Sequence, residues 1–181
     1  MRIRLSADAA RKSSGSWVVE VRSLLFGFLA VLIVVLDQAS KLWLVRNFSL
    51  FESRSVISGC FNLTYLANTG VAFGLLAGPV WWRQVFFIVV TVAALIVIGV
   101  LHWRLREKSV FYTVSLGLIA GGAVGNLVDR VRLGSVVDFL DFYLGSHHWP
   151  AFNVADSAIT VGVGLFLVYS LFFEKDQQKT D

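Results

Sequence analysis

From Val85 to Leu101 the chain carries no charged side chain, and this run limits the folds open to it more than any other stretch. With Trp81-Trp82-Arg83 in front of it, a combination suited to the membrane interface, it approaches the roughly 20 residues that a helix needs to cross a bilayer. Three further runs share its character. Leu24 to Leu36 is apolar and, continued to about Val45, reaches bilayer length; Val110 to Val128 and the stretch from Pro150 to Phe173 complete the set. A cleaved secretory leader does not account for the first run, because Asp37, Gln38 and Lys41 stand where a small-residue cleavage pattern belongs. Hydrophobic residues make up 56% of the chain, above the about 45 to 50% of soluble domains.

These runs predict an α-helical integral membrane protein with a single membrane-embedded domain. Its four transmembrane helices are expected at 23–45, 81–101, 110–129 and 151–173. Residues 46–80 differ, for Phe61-Asn62-Leu63-Thr64-Tyr65 alternates, Asn68-Thr69-Gly70 signals a turn, and Val71-Ala72-Phe73 can return from it. A small extracytoplasmic β-sheet cradle between helices 1 and 2 is the expectation there. The remaining pieces are a basic tail at 1–22, connections at 102–109 and 130–150, and a polar tail at 174–181.

The net charge of +4 does not point to nucleic acid, since the basic residues lie at the ends of apolar segments, where they act as topology signals. If the N-terminus is inside, the inner segments 1–22, 102–108 and 174–181 hold five, three and two basic residues, ten in all, against five outside at Arg46, Arg54, Arg83, Arg130 and Arg132. That bias puts both termini in the cytoplasm. Asp37, Asp129, Asp138 and Asp156 then gather at the outer face.

Ionisable groups at such depth are rare and functional by default. Asp37 and Lys41 lie four apart on one helical face, in the orientation that favours a pair, or that of a snorkelling anchor at a helix end. Gly117, Gly121 and Gly125 recur every fourth residue and invite a close helix neighbour, and beside that row Asn126, Asp129 and Arg130 share one side. Asn153, Asp156, Ser157 and Thr160 form a polar stripe on the first turns of the last helix. The single cysteine, Cys60, allows no internal disulfide, and three scattered histidines offer no metal site. No metal and no cofactor are expected.

Two carboxylates held close together share one proton, so that one can deprotonate water while the other protonates a carbonyl oxygen. An aspartic hydrolase therefore stands beside a proton-coupled transporter, whose site would lie near the midplane between repeats, and a Ser40–Lys41 peptidase, whose serine points to another helix face. Composition does not choose the pair: Asp138 and Asp141 share a loop, and Asp37 and Asp129 serve equally well as structural partners of Lys41 and Arg130.

Five blocks in order carry a resemblance. They are Leu36-Asp37-Gln38-Ala39-Ser40-Lys41, Asn68-Thr69-Gly70-Val71-Ala72-Phe73, Gly121-Gly122-Ala123-Val124-Gly125-Asn126-Leu127-Val128-Asp129-Arg130, Val136-Val137-Asp138-Phe139 and Pro150-Ala151-Phe152-Asn153-Val154-Ala155-Asp156-Ser157. Together they resemble bacterial lipoprotein signal peptidase, signal peptidase II, across about residues 24–173. The resemblance implies an intramembrane aspartyl endopeptidase of the inner membrane, with Asp138 and Asp156 as its catalytic dyad and the outer segments in the periplasm. It implies substrates that are prolipoproteins with diacylglycerol on a cysteine, cut immediately before that cysteine, with membrane phospholipid around them. Asn68, Gly70, Asn126, Asp129, Arg130 and Asn153 match positions that shape or line the substrate site, and Asp37 and Lys41 match a supporting motif. Val71 departs from the alanine of many relatives, and the N-terminal 22 residues exceed a minimal member.

Overall fold

Four helices carry the apolar runs, and a small sheet caps one end of them. The structure, a computed structural model, describes the backbone of residues 2–70 and 80–173 and the side chains of 17–70 and 81–173. In chain order the elements are α1 (Arg2–Asn47), β1 (Ser53–Ile57), β2 (Phe61–Asn68), α2 (Val80–Leu105), α3 (Val110–Leu133), β3 (Val136–Leu144), β4 (His147–His148) and α4 (Val154–Val168), the last ending in a π-helical turn, Tyr169–Phe173. The segments Trp17–Asn47, Trp81–Leu105, Val110–Leu133 and Val154–Phe173 are each long and apolar enough to cross a membrane. Both the strand expected at Val71-Ala72-Phe73 and the tail 174–181 lie outside the described residues.

Two boundaries differ from expectation for physical reasons. The first helix does not begin near residue 23 but runs unbroken from Arg2, since no proline occurs before Pro79 to interrupt it. The stretch 130–150 is also more than a loop. Helix α3 continues to Leu133, where Gly134 takes the left-handed conformation at φ 74° and donates its N–H to Arg130 O; β3 follows at once.

That strand completes the sheet. β2 pairs antiparallel with β1 and with β3, and β4 pairs with the end of β3. Leu63 lies opposite Leu140 and Leu66 opposite Asp138, so β2 spends one residue more than β3 between these pairs, a β-bulge that bends the sheet over the helix ends. The other edge of β3 is taken by the chain entering α4, with Leu140 N donating to Phe152 O at 2.8 Å and Phe152 N to Leu140 O at 3.1 Å. Val137 and Phe139 turn one face of β3 onto Leu44 and Phe48 at the end of α1, fixing sheet to bundle.

α3 is the buried centre of the bundle. A Cβ on Gly121 would fall 2.7 Å from Ala30 O of α1, and one on Gly122 would run into Ala155 O of α4. The glycine row expected to admit one neighbour thus admits α1, and the residue beside it admits α4. A second apolar cluster, Ile98, Leu116 and Ala120 with Phe26 and Phe166 against it, binds the bundle on the side away from the sheet.

Candidate active site

Asp138 stands on β3 and Asp156 in the first turn of α4. The helix begins with a capping box: Asn153 Oδ1 accepts from Asp156 N at 2.9 Å, and Asp156 Oδ2 accepts from Asn153 N at 3.2 Å. The local fold that starts α4 therefore also fixes the carboxylate. Asn153, fully buried, donates its amide to Asp138 Oδ1 at 2.7 Å, and Asn126 of α3 donates to Asp156 Oδ1 at 2.7 Å. With Asn153 Nδ2 also 3.2 Å from Asn126 Oδ1, an unbroken chain of amides joins the two aspartates. Asn68, at the end of β2, donates to Asp138 Oδ2 at 2.8 Å, and its own Oδ1 accepts from Gly70 N at 2.8 Å.

Asp37, Lys41 and Asp129 form the floor of this arrangement, all at most 3% exposed. The Lys41 ammonium lies 2.8 Å from Asp37 Oδ2, 2.8 Å from Asp129 Oδ2 and 3.0 Å from Asn126 Oδ1, so its three protons have three acceptors. The snorkelling alternative for Asp37 and Lys41 is thereby replaced by a buried network. Each carboxylate also takes a backbone N–H, Asp37 Oδ1 from Ala155 at 3.0 Å and Asp129 Oδ2 from Val137 at 3.1 Å. Gln38 adds bonds to Asp129 Oδ1 and to Gly125 O. A Cβ on Gly125 would meet Asp37 Oδ2 at 2.6 Å, so the glycine makes the room that this carboxylate occupies.

Arg130 is not the partner of Asp129, whose oxygens are taken by Lys41, Gln38 and Val137 N. Its guanidinium lies 5.2 Å from the ring centroid of Phe87, within electrostatic reach of Asp156, Asp138 and Asp129 and without an ion pair among the described residues. The same ring backs Gly70, which has φ 77° and whose Cβ would overlap it. Phe87 and Gln38 are thus site residues to which the sequence reading assigned no role. Phe87 lies in the uncharged apolar run, where nothing marks it; Gln38 stands three residues before Lys41, a spacing that puts the two on one helical side.

Asp141 is separated from this cluster. Three residues after Asp138, it points to the opposite face of β3. There it meets Asn62 Nδ2 at 3.1 Å and His148 Nδ1 at 2.8 Å. The two strand aspartates differ in acidity accordingly. Burial pushes Asp138 up to about 6; the Asn68 hydrogen bond opposes this and the charge of Asp156 adds to it. Burial also works against the charge on Asp141, but the hydrogen bonds from His148 and Asn62 outweigh it and hold the carboxyl below its ordinary value. Near pH 6, then, one strand carboxyl still holds a proton about half the time, whereas the other is ionised.

The sequence profile of signal peptidase II, SPase II, matches residues 29–172. The chain belongs to the signal peptidase II family. Among curated members, the lipoprotein signal peptidase of Geobacter metallireducens is 46% identical over 155 residues, covering 86% of this chain and 95% of that protein. That of Geobacter sulfurreducens is 53% identical over 135 residues, covering 75% and 84%. In fold, the signal peptidase II chain matches a bacterial membrane enzyme solved by the in meso method at 1.9 Å, with TM-score 0.70 and 33% identity over 81% of this chain and 92% of the other.

Proposed function

We propose that this member of the family is an intramembrane aspartyl endopeptidase that removes the signal peptide from diacylglyceryl-modified prolipoproteins, cutting on the amino side of the lipidated cysteine. The observation that carries the reading is the amide-linked pair, Asp138 on β3 and Asp156 on α4, two carboxyls from separate elements in one buried hydrogen-bonded chain. Asp138 keeps its proton to about pH 6 and serves as the acid towards the scissile carbonyl oxygen. Asp156 takes a proton from water, whose oxygen attacks the carbonyl carbon; as the C–N bond breaks, that proton passes to the leaving nitrogen and Asp138 recovers its own from a hydroxyl of the tetrahedral intermediate, leaving a carboxylic acid and an amine. The dyad lies where the bundle ends and the sheet begins, the level at which a lipid-anchored peptide meets water. The basic-residue bias assigns that end to the periplasmic side of the inner membrane. Arg130, held over Phe87, is placed to bind a substrate carbonyl through its fork of donors.

Both edges of β3 are taken beside Asp138, by Leu66 on one side and the Phe152 segment on the other. An extended substrate therefore engages the site from the Asn68–Gly70 end of β2 rather than as a new strand on β3. The test is cleavage of a signal peptide carrying diacylglyceryl-cysteine, beside the same peptide without lipid, by purified wild type and the Asp138→Asn, Asp156→Asn and Asp141→Asn variants. Each of the first two is expected to lose turnover by about 10²- to 10⁴-fold while remaining folded, and Asp141→Asn to retain it. Equal cutting of the unlipidated peptide would remove the substrate assignment, and an inactive Asp141→Asn would move the dyad.

A further inference from the structure

Lys41 lies in α1, which supplies neither dyad carboxylate, yet all three of its protons lead to them. Through Asp37 it reaches the N–H of Ala155, the residue before Asp156; through Asp129 it reaches the N–H of Val137, the residue before Asp138. Its third proton goes to Asn126, whose amide is bonded to Asp156 itself. We propose that Lys41 is the positioning residue that sets the approach of the two catalytic carboxylates, gripping β3 and α4 through one carboxylate each. The inference rests on the reading of Asp138 and Asp156 as the dyad.

A role in stability alone explains the arrangement poorly. A buried ion pair returns little net stability once its desolvation is counted, and packed apolar residues do as well. A cation serving only to neutralise Asp37 and Asp129 would not need each of them bonded onward to the residue that precedes a dyad aspartate. The two amides belong to a strand and a helix, β3 and α4, and Asp37 and Ala155 are 118 residues apart in sequence. What the ammonium does is make the two grips interdependent: moving either carboxylate strains the same nitrogen. A misplacement of about 1 Å at a reacting group costs on the order of 10²-fold in rate.

The test is steady-state kinetics of Lys41→Met on the lipidated peptide across pH, with folding checked by thermal unfolding in detergent. The expected result is a kcat lowered about 100-fold with KM within about threefold of wild type. The pH–rate profile is also expected to move to higher pH. The charged groups facing Asp138 are Lys41 from α1, Arg130 from α3 and Asp156 from α4, and loss of the nearby cation favours its protonated form. Any loss of the Lys41 charge moves that profile, so the deciding readout is the kcat of the folded variant, which a merely structural lysine would leave near wild type. Unchanged kcat, or a loss expressed only in KM, overturns the inference. Should Lys41→Met fail to fold, Asp37→Asn keeps the shape and the acceptor for Ala155 N while removing the charge; kcat is expected to fall about tenfold at constant KM, and wild-type turnover there overturns it. Cleavage surviving in Asp138→Asn overturns the dyad and the inference with it. Loss in Asp138→Asn beside full turnover in Lys41→Met overturns the inference alone.

Discussion

Asp138 and Asp141 stand three residues apart on one strand and lead different chemical lives. Strand alternation sends them to opposite faces, so one is gathered by Asn68 and Asn153 and the other by Asn62 and His148. The physics of the sequence left that choice open, because it treated 130–150 as a loop and a loop has no faces; only the likeness to signal peptidase II selected Asp138. The strand was hidden because its partner, β2, lies some 70 residues earlier, beyond the range of local patterning. The Asp37–Lys41 spacing was legible as a pair, but its burial depends on Gly125 of another helix. A prediction follows for Asn68, whose hydrogen bond holds the acidity of Asp138 against burial. Asn68→Ala withdraws a donor from the carboxylate, the acid form gains, and the limb of the pH–rate profile expected near pH 6 should move to higher pH. A limb that stays or falls would mean that Asp138 does not govern it.

At the scale of elements, the site is as good as the contact between α3 and α4. Gly122 lies against Ala155 and Ile159 in the first turns of α4, one residue from Asp156. Gly122→Val should push the helix outward, lowering stability by about 1–3 kcal/mol and turnover with it, as read by thermal unfolding and peptide cleavage. Gly164, on the same helix, has nothing within 4 Å of the position a Cβ would take. Gly164→Ala should leave turnover intact and raise stability by about 0.5–1 kcal/mol through backbone entropy. The helices themselves were plain in the sequence because each is one long apolar run. Which glycine meets which neighbour was not, since a four-residue repeat names a face and not the helix that fills it.

For the whole molecule, the proposed orientation has a ready probe in Cys60, the single cysteine, exposed beside β2 at the sheet end. An impermeant thiol reagent added to intact spheroplasts should label it, and labelling only after permeabilisation would invert the topology. Charge bias is the ground for that proposed orientation, and five sequence blocks made the family readable; the convergence of four of those blocks on one buried lysine needed three dimensions. The order of the chain adds a consequence. The carboxyls read as the dyad sit on β3 and α4, the last long strand and the last α-helix among the described residues, while the lysine between their supports comes from α1. A polypeptide still on the ribosome, with only its first three helices released, holds the clamp without the blades. On the proposed reading, the fold thus withholds proteolytic capacity until α4 has been made.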